Sequence, residues 1–229
     1  MRVAEIDIEV IKKNIKNIHL TVLPPSGKVR ITAPRHVSDQ VIRAFAEGKT
    51  DWIRTHVQRI QREAGHRASD YVSGEQHCLW GKWHSLEIRS GGRPRIAEIR
   101  DDRIFLTVRE SASLEHREKA MNDLYRNELK AKGLPLVERW ERVIGVKTNA
   151  VGIKNMRTRW GTCNTIDKRV WLNLQLARFP EHCLEYVVVH ELVHLLVKNH
   201  GPLFKDYMDR YLPDWRERKR EIRMGLQRP

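Results

Sequence analysis

Three histidines and a glutamate interrupt the otherwise apolar run YVVVHELVHLLVKNHG, Tyr186 to Gly201. His190, Glu191 and His194 match the H-E-x-x-H zinc signature. Residues four apart on an α-helix lie one turn above each other on the same face, so the two imidazoles can converge on one ion. Glu191 is displaced around the helix by about 100° from its neighbour. There its carboxylate can reach a water on the ion without binding the ion itself. The competing account is a pair of satisfied core histidines with a salt-bridged glutamate. Against it stands the company they keep: burying two histidines and a glutamate among Leu184, Val187, Val188, Leu192, Leu195 and Leu196 is costly unless something binds them.

A catalytic zinc takes three protein ligands and keeps a position for water. His200 is the third candidate. On a continuous helix it would point about 120° away from His194 and lie about 9 Å further along, so it coordinates only if the chain turns back. Lys198-Asn199 offers that turn, because asparagine tolerates the left-handed conformation that ends helices, and Gly201-Pro202 mark the helix as over. Asp206 and Asp209 compete for the third place. The expected cofactor is one zinc ion per chain, which imidazoles suit better than they suit harder ions.

The elements that must hold these residues are legible in outline. Pro180 and Glu181 suit the first turn of the active helix. In MRTRWGTCN, Trp160 and Cys163 would fill the gap between a sheet and that helix, with Gly161 permitting close approach. The same strand could present its edge to an extended peptide. Cys163 has no partner at metal spacing, and Asn173 reads as structural. AVGIKNMRTRWGTC and RVWLNLQLA are expected as two strands joined by the turn NTIDK. Upstream, SLEHREKAMNDLYRNELKAKGLPLVERWERVIG is helical, with a break expected near Gly133 and Pro135.

Residues 1–110 read as a β-rich region. Strands alternate around Pro24-Pro25-Ser26-Gly27, Gly91-Gly92 and Asp101-Asp102, and helices fall near 38–64 with Val41, Ile42, Phe45, Trp52, Ile53, Val57 and Ile60 on one side. The composition changes near residue 110, which is the expected boundary with a domain spanning 111–229. No internal repeat is visible in the sequence.

The 43 lysines and arginines outnumber the 29 acidic residues, for a formal charge of +14. Such a surface attracts nucleic acid or another polyanion through counterion release, without reading its sequence. The terminal RERKREIR is most simply a solvated helix face. Cys78, Cys163 and Cys183 are odd in number and far apart, against a disulfide framework and for a reducing cytoplasm. No apolar run approaches the roughly eighteen residues of a membrane span. The first residues lack the pattern of a signal peptide.

RWGTC, WLN and YVVVHELVHLLVKNHGPLF together resemble the YgjP-like metallopeptidase domain, a family related to the SprT-like zinc peptidases. IHLTVLPPSGKVRITAPRHVSDQVIRAFAEGKTDWI and GEQHCLWGKWHSLEI extend the resemblance over nearly the whole chain. It implies zinc ligands at His190, His194 and His200, Glu191 as catalytic carboxylate, and a zincin-type α+β fold with a small antiparallel sheet on the H-E-x-x-H helix. Family members commonly read NHS and FW where this chain has Asn199-His200-Gly201 and Phe204-Lys205, and Thr162 replaces a common serine. No ligand is lost. The implied reaction is hydrolysis of a peptide or protein substrate by metal-activated water, with Glu191 carrying the proton. Arg159, Trp160 and Tyr207 are candidates for holding a substrate strand or the oxyanion; Tyr186, Tyr211, His182 and Arg157 are further oxyanion candidates. Two alternatives stand beside this: a polyanion-binding protein with a structural or degenerate metal site, and a protease acting on DNA-bound proteins.

Overall fold

The computed structural model describes residues 1–23, 26–65, 69–91 and 96–226, apart from the side chains of 59–65 and 96. The chain divides into two units, Met1–Asp70 and Tyr71–Pro229.

In the first unit, β1 (Arg2–Val3), β2 (Ile6–Lys13), β3 (His19–Leu23) and β4 (Lys28–Pro34) form a sheet in the order β1-β2-β4-β3. The expected hairpin is β3–β4, antiparallel, while β2 and β4 run parallel. Pro24 and Pro25 of its turn lie outside the described residues; Gly27 supplies a φ of 71°. Period-2 alternation buries Val29, Ile31 and Ala33 of β4. Helix α1 (Asp39–Glu47) starts at Ser38, whose hydroxyl accepts from the Val41 N–H at 3.4 Å. It and α2 (Thr50–Gly65) contribute Ile42, Ala46 and Ile53 to one core with β4. Val41 and Trp52, expected on the inner side, are exposed, and the side chain of Ile60 lies outside the description.

The second unit opens with β5 (Gln76–Leu79), β6 (Lys82–Ser90), β7 (Ile96–Arg100) and β8 (Arg103–Val108), in the order β5-β6-β8-β7. Order and pairing sense repeat those of the first sheet, a repeat of topology that the sequence does not show. Gly92 lies outside the described residues.

Helix α3 (Leu114–Ile144) follows, capped by Ser113 and by Gly145 at φ 78°. The expected break at Gly133 and Pro135 does not occur. Leu129, Gly133, Val137 and Trp140 form a buried stripe at helical spacing, and its packing carries the helix through the one donor that proline removes.

Next come β9 (Ala150–Lys154), β10 (Gly161–Asn164) and β11 (Arg169–Asn173), in the order β10-β11-β9. The small sheet is mixed, since β10 and β11 are antiparallel but β9 and β11 parallel. The strand expected from Ala150 to Cys163 is two strands, and Leu174–Arg178 is a 3-10 helix. Asn173 accounts for both changes. Its Oδ1 accepts from the N–H groups of Met156 and Gln175, and its Nδ2 donates to the carbonyls of Met156 (2.9 Å) and Arg159 (2.7 Å). These bonds draw residues 155–160 out of the sheet and start the 3-10 turn.

Helices α4 (Glu181–Val193), α5 (Pro202–Tyr211) and α6 (Trp215–Met224) complete the unit. The two-residue turn Trp80-Gly81, both at positive φ, donates its N–H groups to the carbonyls of Ala177 and Arg178 and so fixes the approach to α4. Leu86, Ile104 and Leu106 share a core with Leu129 of α3, Leu172 of β11 and Leu184 of α4. The composition change near residue 110 therefore marks the entry to α3, whose partners include the preceding sheet. The chain divides at Asp70–Tyr71 instead. No helix among the described residues is long and apolar enough to cross a membrane.

Candidate metal centre

Helix α4 is buried nearly all round: Cys183, Val188, Val189, Leu192 and Val193 have no more than traces of exposed surface. Its last turn carries His190 and Glu191, and His194 caps it. The helix thus ends before Lys198-Asn199. Leu195, Leu196 and Val197 close the end by donating to the carbonyls of Leu192 and Val193. Asn199 is not among the residues of positive φ, so the return is made by this tight turn rather than by a left-handed asparagine. Pro202 then starts α5 at the position where a missing N–H costs nothing.

The turn brings His200 back onto His190. Their Nε2 atoms are 3.0 Å apart, and one ligand atom from each of His190, His194 and His200 lies within 4.8 Å of the others. Neither Asp206 nor Asp209 joins them. Asp209 is committed to the Trp215 indole at 2.7 Å and to Arg216. Phe204, fully buried in the first turn of α5, sets its ring 4.9, 4.8 and 4.7 Å from the rings of His190, His194 and His200. This shared wall was missed at the sequence level, where the only signal is an apolar residue two after the helix-opening proline.

The electrostatics suit cation binding. Burial above all, then His194, His200 and Lys219, pushes the His190 pKa down to about 3. Burial also lowers that of His194. Both rings are therefore neutral at neutral pH. His194 Nδ1 lies 3.2 Å from the Val197 carbonyl, which places the proton there and leaves Nε2 as a lone-pair donor. His190 Nδ1 is buried without a hydrogen-bond partner. The neutral imidazoles of His190 and His194 converge with that of His200, with no carboxylate among the three, and such a three-nitrogen set fits zinc.

Glu191 is 5% exposed, and burial lifts its pKa to about 8 against the opposing charge of Arg159. Gly161 of β10 packs directly on it. The three histidines and Glu191 open into a cleft of about 750 Å³, lined also by residues 158–163 and by Lys219, Ile222 and Arg223 of α6. Arg159 and Trp160 line it, as expected; Trp160 also packs edge-on against Phe179. Tyr207 does not line it: its ring stacks on Tyr211. His182 pairs with Glu221, and Arg157 is also outside the cleft. Of the further oxyanion candidates, Tyr186 lines the cleft, with its ring 5.7 Å from that of His190. Cys163 lines it as a thiol, pushed up to about 11 by burial and then by Glu191.

The family described as YgjP-like, metallopeptidase domain, matches residues 16–224. Among solved structures, the chain is similar to the metallopeptidase zymogen abylysin of Pyrococcus abyssi, with 21% identity and a TM-score of 0.38 over 41% of this chain and 94% of that one. It is similar too to the metallopeptidase zymogen jannalysin of Methanocaldococcus jannaschii, with 24% identity and a TM-score of 0.37 over 41% and 95%. No curated protein matches. With the family match running over most of its length, the chain belongs to the YgjP-like metallopeptidase domain family.

Proposed function

We propose that this metallopeptidase hydrolyses peptide bonds with one zinc ion on His190, His194 and His200 and with Glu191 as general base. The observation that carries the reading is the convergence of three imidazole nitrogens within 4.8 Å, beside a buried carboxylate, at the floor of an open cleft. A zinc ion held by His190, His194 and His200 would supply a Lewis acid that lowers the pKa of a water molecule toward neutrality, and its charge would favour the ionised form of Glu191.

Glu191 takes the proton from water and hands it to the departing amine. A buried carboxyl beside the three imidazoles and open to the cleft is placed for both halves of that transfer. Among the described residues β10 is an edge strand paired only with β11, and its residues line the cleft. An extended substrate adds to it by main-chain hydrogen bonds. Tyr186 is the leading oxyanion donor. Its hydroxyl, pushed up to about 12 by burial above all, stays protonated. The three free cysteines agree with a reducing cytoplasm as the place of action.

Metal content of tag-free protein, measured by mass spectrometry on wild type beside His194→Ala and Glu191→Gln, tests the reading. One zinc per chain is expected in wild type and Glu191→Gln, and none in His194→Ala. Peptide hydrolysis should fall at least about 100-fold in Glu191→Gln. Zinc retained by His194→Ala would remove the ligand assignment.

A further inference from the structure

The basic residues of α6 differ in what they meet. Arg216 pairs with Asp209, and Arg218 with Glu185 at 2.6 Å and Asp214 at 2.9 Å. Lys219 and Arg223, one helical turn apart, line the cleft instead, and neither has a carboxylate partner among the described residues. Lys219 is half-buried, with its ammonium 5.3 Å from the Trp215 ring centre. Lys198 lines the same cleft, also without a carboxylate partner among the described residues, and so does Arg159, whose charge acts on Glu191. Glu191 is the one acidic residue in the lining.

Arg220 is exposed outside this cleft and has no carboxylate partner among the described residues either, so what sets Lys219 and Arg223 apart is their place in a cleft lined by four cations and one acid. Unpaired cations gathered in one cleft repel, as Arg223 does Lys219, and between low-dielectric walls they focus a positive potential on whatever enters. Bringing in a carboxylate relieves the repulsion and gains charge-assisted hydrogen bonds.

We propose that Lys219 and Arg223 form a carboxylate-binding subsite on the α6 wall of the cleft, so that the substrate is a peptide with a carboxylate near the bond to be cut. The carboxylate is an acidic side chain or the peptide's own C-terminus. The proposal deepens the peptidase reading and rests on it for the word substrate, but not for the anion site itself.

Binding is measured by fluorescence anisotropy on Glu191→Gln protein of recorded zinc content, which engages peptide without consuming it. Three labelled peptides of equal length serve as probes: one with internal glutamates and blocked ends, one neutral with a free C-terminal carboxylate, and one neutral and blocked. One or both carboxylate peptides should bind about tenfold more tightly than the blocked neutral one. Tighter binding of the first marks an acidic side chain, and of the second a free C-terminus. The gain should vanish with Lys219→Gln/Arg223→Gln, shrink with either single change, and survive Arg220→Gln, which lies outside this cleft. Circular dichroism and zinc content matching the parent show that each variant is folded, and the single variants carry the test if the double one is not. Equal binding of the three peptides, or a preference that survives the double change, would overturn the proposal. So would tighter binding of an oligonucleotide of equal charge, lost in the same variants. An intact carboxylate preference in protein that takes up no zinc would support the subsite while removing the peptidase reading.

Discussion

A methyl group at Gly161 would lie 2.6 Å from Glu191 Oε1, 2.7 Å from its Cγ and 2.8 Å from Val187 Cγ1. The first of these neighbours can swing away, but the other two are anchored near the α4 backbone, so room is made only by moving the strand or the acid. The missing side chain lets β10 and the Glu191 carboxyl share one depth in the cleft. Gly161→Ala should therefore lower stability by about 1–3 kcal/mol through overpacking and reduce hydrolysis sharply. It should keep its zinc, because the imidazoles are held from the other side by Phe204 and the turn after α4. Metal analysis beside a peptidase assay separates the two effects, and zinc lost in step with activity would mean that β10 supports the ligands as well as the acid.

Elements end where side chains satisfy the backbone, and α3 shows how. The Glu141 carboxylate, 4% exposed, accepts from the Thr148 N–H at 2.7 Å, the Thr148 hydroxyl at 2.6 Å and Lys147 Nζ at 2.6 Å, tying the exit of α3 to the chain that enters β9. Burial pushes this carboxyl up, but the Lys147 and Thr148 bonds outweigh it and hold its pKa below the ordinary value. Lys147 is largely exposed, so its ion pair is screened and the Thr148 bonds carry more of the effect. A depressed folded-state pKa stabilises fully above the unfolded value, about 4.3, and the gain is lost as pH falls through the folded one. Denaturant unfolding of wild type and Glu141→Gln should differ by about 1–3 kcal/mol at pH 7, and the gap should narrow below pH 4.3. A gap that does not change with pH would mean the carboxylate charge contributes nothing. This device also shows what the sequence can and cannot disclose. The four-residue spacing of His190 and His194, and the return of His200 across a short turn, are local facts and were legible. The break between β9 and β10 depends on three bonds with Asn173, seventeen residues after Met156, and the unbroken course of α3 past Pro135 depends on partners in other elements. Local pattern holds neither.

At the scale of the whole molecule the open question is which residues the site needs to fold. Every residue lining the cleft belongs to Tyr71–Pro229, and so does the whole core beneath it. That core takes Leu79, Leu86, Ile104, Leu106 and Val108 from the sheet before α3, all nearly or fully buried. A chain starting at Ser111 would expose the faces of α3 that those residues cover, at about 1.5–3 kcal/mol for each large side chain left without a partner. Over the five residues named, such a deficit is as large as the about 5–15 kcal/mol by which a domain is stable. A fragment of residues 71–229 should therefore fold cooperatively, bind one zinc and keep its peptidase activity. A fragment of residues 111–229 should be unfolded or aggregated. Circular dichroism, thermal unfolding and metal content of the two fragments decide the matter. If the shorter one folds and holds zinc, β5–β8 are dispensable and the change of composition near residue 110 marks a real edge. If the longer one fails too, the first unit supplies something the site requires beyond its own separate core.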